Sequence, residues 1–263
     1  MAQTIGFVGY GNFNSTIAQH AVNAGYRVIL SNSRGPATLS DAVAKLGPQA
    51  KAATVEEVVR ESDIVSVSIP LGAIDKLPVD VFAGKIVIDS MNYSSQRDGR
   101  FEDLESRATT ESLLVQGRLK GSRVVKAFNT IDQFHLRFGA RPAGDAERWA
   151  LPIAGDDTEA KAAVGKFIDA IGFDTADTGS LADSWRFQPN TPAYCNPYIG
   201  EFPESEDIDE LYEWVRKDHS RVVKAADILD LVAAATKEVP VDWVVNVPPA
   251  YIALFGRVLE SKP

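Results

Sequence analysis

Short apolar runs alternate with segments of helical periodicity along the first two thirds of this 263-residue chain. An apolar run from Thr4 ends in a glycine-rich turn, and the apolar residues after the turn recur at helical spacing as far as Gly25. A second apolar run, Arg27 to Leu30, comes next. Runs of this length predict buried strands, and the period between them predicts a helix. The first segment is therefore predicted to be a βαβ unit.

The alternation continues after this unit. Strands that alternate with helices favour a parallel sheet that is covered by helices on both faces. We therefore predict an α/β fold of the Rossmann type, with a doubly wound, mainly parallel sheet. The last two strands are expected to extend the same sheet. Further strands are predicted at 50–53, 63–70, 85–90, 122–128, 149–154 and 173–178, and helices at 37–46, 54–62, 71–76, 101–119, 158–171, 208–217 and 219–237.

The turn after the first strand has the residue types that a dinucleotide pyrophosphate requires. Gly9 allows the tight turn out of the strand, and Gly11 lets the backbone approach the phosphates without a Cβ in the way. The third position of this fingerprint is usually Gly or Ala, and here it is Asn14. Two roles are open for Asn14: it crowds the packing, or its amide binds a phosphate. In its strand–turn–helix context, the turn still predicts dinucleotide binding.

The end of the second strand indicates which dinucleotide binds. An NAD site usually has Asp or Glu about 20 residues after the glycines, where the carboxylate holds the ribose 2′-hydroxyl. This chain has Ser31, Asn32, Ser33 and Arg34 there. Hydroxyls and a guanidinium bind a 2′-phosphate through charge-assisted hydrogen bonds, whereas a carboxylate repels it. The sequence therefore predicts NADP(H), and the alternative is that Arg34 is an ordinary solvated loop residue.

The pattern changes after Gly179. Residues 181–198 are rich in aromatic residues and proline, and helical segments follow them. We therefore predict an NADP-binding Rossmann domain over residues 1–179 and a small, mainly helical C-terminal region over residues 180–263. The C-terminal region is expected to cover the substrate or to form an oligomer interface, as in a homodimer.

Composition narrows the class of partner. The net charge of -9 argues against nucleic acids and anionic membranes as partners. The single cysteine, Cys195, excludes an internal disulfide and fits a reducing compartment. The sequence shows no leader and no membrane span, so a cytoplasmic location is expected. No two histidines have metal-ligand spacing, and no metal site is predicted.

Three later motifs complete a recognisable set. They are VVKAFNTI at 124–131, LPIAGDD at 151–157 and DTGSLAD at 177–183. Together with the glycine-rich turn and the end of the second strand, they resemble the F420-dependent NADP oxidoreductase family, whose members move hydride between NADPH and a deazaflavin coenzyme. The same core occurs in the oxidoreductase domain of the six-transmembrane metalloreductases, which passes hydride to a flavin. The resemblance covers roughly residues 4 to 190, and the chain continues well beyond the short members of the family.

The resemblance implies roles for loops at the carboxyl ends of the strands. The glycine-rich turn matches the pyrophosphate site, and Ser33 and Arg34 match the 2′-phosphate site. Later loops match those that line the nicotinamide, and no catalytic residue is identified. The predicted cofactor-binding residues are Gly9, Gly11, Asn12, Phe13, Asn14, Ser31, Asn32, Ser33, Arg34, Ile69, Pro70, Asn92, Asn129 and Thr130.

The implied reaction is hydride transfer between NADPH and a small-molecule acceptor, either flavin-like or a deazaflavin such as coenzyme F420. Such a transfer needs little acid–base help, because the cofactor carries the chemistry and the protein orients the two rings. Two alternatives stay open: an NADPH-dependent reductase of a small carbonyl or imine, and a non-catalytic NADP(H)-sensing protein. A carbonyl reductase would use a proton donor, for which His135 is one candidate. Tyr93, Tyr194 and Trp185 either stack on an acceptor ring or are ordinary core aromatics.

Overall fold

The computed structural model describes residues 3–199, 205, 207–217, 222–242 and 254. Within these residues, eight strands lie in a single sheet. The strands are β1 Thr4–Val8, β2 Arg27–Ser31, β3 Ala50–Ala52, β4 Ile64–Val67, β5 Ile86–Asp89, β6 Arg123–Lys126, β7 Ala150–Gly155 and β8 Asp174–Asp177. The α-helices are α1 Asn12–Asn23, α2 Ser40–Leu46, α3 Val55–Glu61, α4 Ser95–Asp98, α5 Glu102–Glu105, α6 Glu111–Arg118, α7 Gln133–Phe138, α8 Thr158–Ala170, α9 Asn196–Ile199, α10 Ile208–Lys217 and α11 Ala225–Ala233. Segments of 3₁₀ helix occur at Pro36–Leu39, Leu71–Lys76, Val79–Phe82 and Leu181–Phe187.

The sheet has the strand order β3-β2-β1-β4-β5-β6-β7-β8. Strands β1 to β6 run parallel, β7 is antiparallel to β6, and β8 is parallel to β7. The first six strands have the 3-2-1-4-5-6 order of the Rossmann fold, in which the strand order reverses between β1 and β4. The predicted α/β fold with a doubly wound, mainly parallel sheet is confirmed, and the last two strands extend this sheet as expected.

Apolar cores lie on both faces of the sheet. In β1, Ile5 and Phe7 pack in one core and Val8 packs in the other, which is why the parallel strands read as nearly continuous apolar runs. The helix α3 begins where predicted because Thr54 and Glu57 form a capping box. Thr54 Oγ1 accepts a hydrogen bond from the Glu57 amide, and the Glu57 carboxylate accepts one from the Thr54 amide.

Two predicted helices are interrupted in the structure. The helix predicted over 101–119 is divided into α5 and α6, because Arg107 has a φ of 60° that a right-handed helix cannot contain. The Thr110 side chain then caps the start of α6. The helix predicted over 37–46 begins as a 3₁₀ turn at Pro36 before it becomes α2. Hydrophobic periodicity records the buried face of a segment and not such local breaks.

The described part of the C-terminal region packs on the sheet. Helix α10 has its predicted range, whereas α11 begins at Ala225 and not at residue 219. The reason is that the segment before α11 is bound to the sheet: the amide of Ala150 in β7 donates to the carbonyl of Val223 at 2.7 Å. Apolar residues of α11 also belong to the core beside β7. The boundary between residues 1–179 and 180–263 stays a prediction.

Two kinds of feature, a membrane-spanning helix and a metal-binding cluster, are absent from the residues that the structure describes. None of the helices there is both long enough and apolar enough to cross a membrane. Among the same residues, no group of three or more His, Cys, Asp or Glu side chains is placed to hold a metal ion. His219 and the first residues of the helix predicted at 219–237 lie outside the described residues.

Candidate functional site

The carboxyl ends of the central strands meet in one row. Cross-strand pairs connect Ser31 of β2, Val8 of β1, Val67 of β4, Asp89 of β5 and Lys126 of β6. The loops that follow these residues therefore share one edge of the sheet. Ligands of open parallel sheets bind at this edge, where the strand order reverses. The structure thus brings the predicted loops together beside the point between β1 and β4.

The turn after β1 is shaped for close approach of a ligand to the backbone. Gly9 has a φ of +85°, and a Cβ at this position would lie 2.3 Å from the Ser68 carbonyl oxygen, so a larger residue does not fit. Gly11 is extended, and a Cβ there would meet nothing within 4 Å. Within the described chain, no side chain caps α1, and its first turn has no acidic residue. The amides and the dipole at this helix N-terminus therefore suit the pyrophosphate of a dinucleotide.

Asn12 and Phe13 form the first turn of α1, and Asn14 supports that turn from inside. Asn12 is exposed and Phe13 is half-buried, so their contact with the cofactor stays a prediction. The Asn14 side chain is fully buried: Nδ2 donates to the Gly9 carbonyl at 2.7 Å, and Oδ1 accepts from Ser66 Oγ at 2.9 Å. Both ends of the Asn14 amide are engaged within the protein. The predicted contact of Asn14 with the cofactor is therefore corrected to a positioning role, in which Asn14 ties the turn to β4.

Of the four predicted residues at the end of β2, one is buried, one is half-buried and two are exposed. Ser31 is 1% exposed, and its Oγ donates to the Phe7 carbonyl at 3.0 Å, so the predicted cofactor contact of its hydroxyl is corrected to a bond within the sheet. Asn32 Oδ1 accepts from the Arg34 amide at 2.9 Å and shapes the loop. Ser33 and Arg34 are exposed. The Arg34 guanidinium makes no ion pair with any described residue, so it is available to a 2′-phosphate.

A pair of asparagines joins the loops after β5 and β6. Asn92 Nδ2 donates to the Asn129 carbonyl at 3.0 Å, and Asn129 Nδ2 donates to Asn92 Oδ1 at 3.2 Å. Asn129 Nδ2 also donates to the Phe187 carbonyl at 2.9 Å, and Asn92 Nδ2 lies 3.4 Å from the Tyr194 hydroxyl. The chain beyond residue 180 therefore reaches the edge of the sheet over which the nicotinamide half of a dinucleotide lies in this fold.

The other residues predicted at the nicotinamide differ in exposure. Ile69 is half-buried and Pro70 is exposed after β4, so both are accessible to a ligand. Thr130 is fully buried, and its carbonyl accepts from the Cys195 amide at 2.8 Å, so it supports the loop from inside. Phe128, which begins this loop, has a φ of +66°, a conformation that is rare for a bulky side chain. Strained backbone of this kind is concentrated at functional sites.

A buried ion cluster lies beneath the loop after β5, and the sequence did not reveal it. Lys126 Nζ lies 3.1 Å from Glu111 Oε2 and 3.5 Å from Asp89 Oδ2, and the three side chains are at most 3% exposed. Burial lowers the pKa of Lys126, but the two carboxylates raise it more, so its pKa lies above the ordinary value. Lys126 also donates to the Met91 carbonyl, and Glu111 accepts from the Tyr93 amide at 2.9 Å. The cluster therefore holds the loop after β5 in place.

Only one of the three stacking candidates lies at the site. Tyr93 is fully buried and packs edge-to-face on a neighbouring phenylalanine. Trp185 has the Arg186 guanidinium 4.6 Å and the Lys237 ammonium 5.4 Å from its ring centroid, so protein cations occupy its neighbourhood. Both are structural aromatics in this fold. Tyr194 lies beside the asparagine pair.

The candidate donor His135 is buried, and Cys195 and His20 are half-buried. His135 is 1% exposed, and its Nδ1 lies 2.5 Å from Asp132 Oδ2, so it is not presented to a substrate at the surface. Burial raises the pKa of the Cys195 thiol, which therefore stays protonated and unreactive. His20 packs between two helices, where its Nε2 donates to the Leu136 carbonyl of α7 at 2.9 Å.

The dinucleotide turn and the strand end that carries Arg34 lie in the part of the chain that known families share. Residues 4–93 match the family model described as NADP oxidoreductase, coenzyme F420-dependent. The resemblance inferred from the motifs is confirmed over these residues. The matched family is described as one of NADP oxidoreductases, which confirms NADP(H) as the predicted dinucleotide.

Individual relatives extend the comparison. Metalloreductase STEAP3 of Rattus norvegicus is 31% identical over 185 residues, which is 70% of this chain and 35% of that protein. The chain spans only part of the curated relatives that it matches: 35% of the length of the rat protein and 39% of the length of a second relative. Hypothetical protein SMa0349 of Sinorhizobium meliloti is 28% identical, with a TM-score of 0.65 over 74% of this chain and 94% of that protein. A structure from Arthrobacter sp. FB24, provisionally named an F420-dependent NADP-reductase, is 20% identical with a TM-score of 0.59 over 70% and 87% of the two chains, and it supports the fold alone.

Proposed function

We propose that this chain transfers hydride between NADPH and a flavin-like or deazaflavin acceptor. The observation that carries the proposal is the open space at Gly11, before the N-terminus of α1, together with the exposed Arg34 at the neighbouring strand end. Backbone amides at such a helix terminus bind a pyrophosphate. Ser33 and Arg34 bind the 2′-phosphate, which distinguishes NADPH from NADH. The bound nicotinamide supplies the hydride.

The remaining residues orient the reacting rings and exclude water. In this fold the nicotinamide half extends over the ends of β4 to β6, past Ile69 and Pro70 and towards Asn92 and Asn129. Hydride transfer between two rings depends on their orientation and on a dry site more than on a proton donor. The description of the matched family, and the name of the rat relative as a metalloreductase, favour an acceptor that takes hydride or electrons without a proton donor.

NADPH oxidation, followed optically, tests the proposal against a panel of flavins, a 5-deazaflavin, small ketones and imines. Gly11→Val is the decisive variant, because the valine methyl groups fill the open space while the extended backbone accepts a β-branched residue. Gly117→Val in α6 is the matched control, since a Cβ there also meets nothing within 4 Å. We expect flavin or deazaflavin reduction by the native protein and by Gly117→Val. Gly11→Val should lose cofactor binding and turnover at an unchanged melting temperature.

The same experiment separates the enzyme from the sensing alternative. Tight NADPH binding without turnover of any acceptor would contradict the enzyme and favour a protein that senses NADP(H). Full binding of NADPH by Gly11→Val would contradict the placement of the pyrophosphate at this turn.

Reduction of a small carbonyl or imine is a second candidate, and Tyr194 favours it. Its hydroxyl lies 3.4 Å from Asn92 Nδ2, beside the asparagine pair at the edge where the nicotinamide half is proposed to lie. A protonated phenol near the nicotinamide is a suitable proton donor. Under this alternative, Tyr194→Phe lowers ketone or imine reduction by about 100-fold or more and leaves flavin reduction unchanged. Equal rates for the two proteins with every substrate would remove this role.

Three expectations about the protein as a whole stay predictions. They are a cytoplasmic location, a homodimer, and a C-terminal region that covers the substrate. Light scattering of the protein with and without NADP⁺ would test the second.

A further inference from the structure

Four buried side-chain atoms have no hydrogen-bond partner among the described residues: Asn129 Oδ1, Thr130 Oγ1, Gln133 Nε2 and Gln188 Nε2. Two of them, the acceptor Oδ1 of Asn129 and the donor Nε2 of Gln188, belong to residues that are 3% and 4% exposed. Buried polar atoms are nearly always paired, because an unpaired one costs the folded state its lost hydration. An unpaired acceptor and an unpaired donor at the ligand-binding edge therefore indicate that a ligand completes them.

The two residues, here called the wall, are held next to each other by a hydrogen bond. Asn129 Nδ2 donates to the carbonyl of Phe187, the residue before Gln188, and to Asn92 Oδ1. Only the nitrogen of an amide side chain can donate to two acceptors, so these contacts show which end of the Asn129 amide is Nδ2. The other end, Oδ1, is therefore the unpaired atom. The backbone of Gln188 is held by a turn, in which its carbonyl accepts from Thr191 Oγ1 at 2.7 Å. Both amides are therefore carried on backbone that is already ordered.

The group that complements this pair is a carbonyl next to an N–H. We propose that Gln188 and Asn129 bind an amide or imide edge of the ligand: Gln188 Nε2 donates to its carbonyl oxygen, and Asn129 Oδ1 accepts from its N–H. Two ligands of the proposed reaction carry this unit, namely the carboxamide of the nicotinamide and the ring imide of a flavin or deazaflavin. The inference rests on the proposed function and adds the residues that recognise the ligand.

Matched ligand pairs distinguish the two sources. The first pair is NADP⁺ and its 3-acetylpyridine analogue, in which a methyl group replaces the amide nitrogen. The second pair is 5-deazariboflavin and its N3-methyl derivative, measured by fluorescence with NADP⁺ present. We expect the analogue without the N–H to bind about tenfold more weakly, or worse, in one of the pairs, because it leaves Asn129 Oδ1 unpaired. That pair identifies the ligand that the wall recognises.

Gln188→Met tests the donor. Methionine keeps the length of the side chain and removes the N–H groups, so the parent ligand of the same pair should bind about tenfold more weakly. The melting temperature of the free protein should stay the same or rise, because an unpaired buried donor is removed. A glutamine with a merely structural role would instead lose stability on substitution. Gln96→Met, at an exposed position of α4, is the matched control and should change neither quantity.

Two results would overturn the inference. One is equal affinity within both ligand pairs. The other is a lower melting temperature of Gln188→Met with unchanged affinity for both parent ligands. Both tests of this inference measure binding and not turnover. If the protein distinguishes the two members of a ligand pair but oxidises NADPH with no acceptor, the proposed hydride transfer is contradicted and this inference is retained.

Discussion

The two halves of the ligand-binding edge are built in opposite ways. After β1 and β2, a ligand meets backbone and exposed groups, with open space at Gly11 and a solvated Arg34. After β5 and β6, the polar side chains are bonded to one another: Asn92 is half-buried, Asn129 is buried, and a buried ion cluster around Lys126 lies beneath the loop after β5. A phosphate is bound by donors that stay near water, whereas a reacting ring is oriented by groups in a dry interior. The contrast fits the proposal that the phosphates lie on the first half of this edge and the reacting rings on the second.

The contrast also predicts that substitutions in the two halves have different effects on ligand affinity and on stability. A change on the phosphate side should alter affinity and leave stability intact, because the groups there are exposed. A change in the ion cluster beneath the ring side should alter stability first, because the groups of that cluster are buried and mutually paired. Three substitutions test this difference in order of expected effect.

The largest effect is expected for Lys126→Met. Removal of the ammonium leaves two buried carboxylates without their partner, which costs about 3–5 kcal/mol in the free energy of unfolding. Lys51→Met is the control, because its ion pair with Glu61 is about half exposed and should contribute about 1 kcal/mol or less. Urea denaturation measures both. A loss of similar size in the two variants would contradict the buried cluster.

The pH dependence of this first effect follows from the raised pKa of Lys126. A lysine with a folded-state pKa above its unfolded value contributes stability that is fully present below the unfolded pKa. That stability is lost as pH rises through the folded-state pKa. The difference between native protein and Lys126→Met should therefore be constant around neutral pH and shrink only in strongly alkaline solution.

An intermediate effect is expected for Arg34→Ala, and it should be confined to binding. Loss of the charge-assisted hydrogen bonds should weaken NADPH binding by about 10- to 100-fold and leave NADH binding and the melting temperature unchanged. Arg27→Ala is the matched control, because Arg27 is an exposed arginine at the other end of the same strand, away from the proposed binding site. Calorimetric titration with both dinucleotides measures the effect. An unchanged NADPH affinity would leave Arg34 as an ordinary surface residue.

The smallest effect is expected at His20, which links the two halves by packing α1 on α7. Burial lowers the pKa of His20; the hydrogen bond to the Leu136 carbonyl opposes part of this, and the positive charge of Arg137 adds a smaller lowering effect. The unfolded chain therefore binds the proton more readily, so stability should fall as pH drops below about 6.5. His20→Gln keeps a donor for Leu136 and removes the titration. The melting temperature of this variant should depend less on pH over that range, and identical pH profiles would contradict the prediction.

The phosphate side could be predicted from the sequence because its signals are local, and its contact with the cofactor stays a prediction. Gly9 and Gly11 are adjacent in the chain to the strand and helix that they join, and Arg34 follows directly on the next strand. Gln188 and the ion cluster could not be predicted, because their partners are distant in sequence: Lys126 meets Glu111 from another element, and Gln188 belongs to a segment that reads only as aromatic and proline-rich. The one local signal of the cluster was a charged residue at the end of each of two apolar strands, β5 and β6.

The same distinction explains the corrected residues. Asn14 and Ser31 were placed at the cofactor because they stand in its motifs, yet both side chains turn inward and bond to neighbouring strands. A motif specifies the position of a residue along the chain and not the direction of its side chain. Burial and the supply of partners decide that direction, because an inward polar group must be paired.

By itself, the sequence determined the class of fold and the dinucleotide and predicted the loops that would bind it, because periodicity, turn chemistry and the residues after each strand act over short stretches of chain. Only the tertiary structure decided which of those residues face a ligand, that β7 runs against its neighbour, and that the chain beyond residue 180 brings Tyr194 and Gln188 to the asparagine pair. These features depend on contacts between elements that are far apart in sequence, and such contacts exist only once the sheet has assembled.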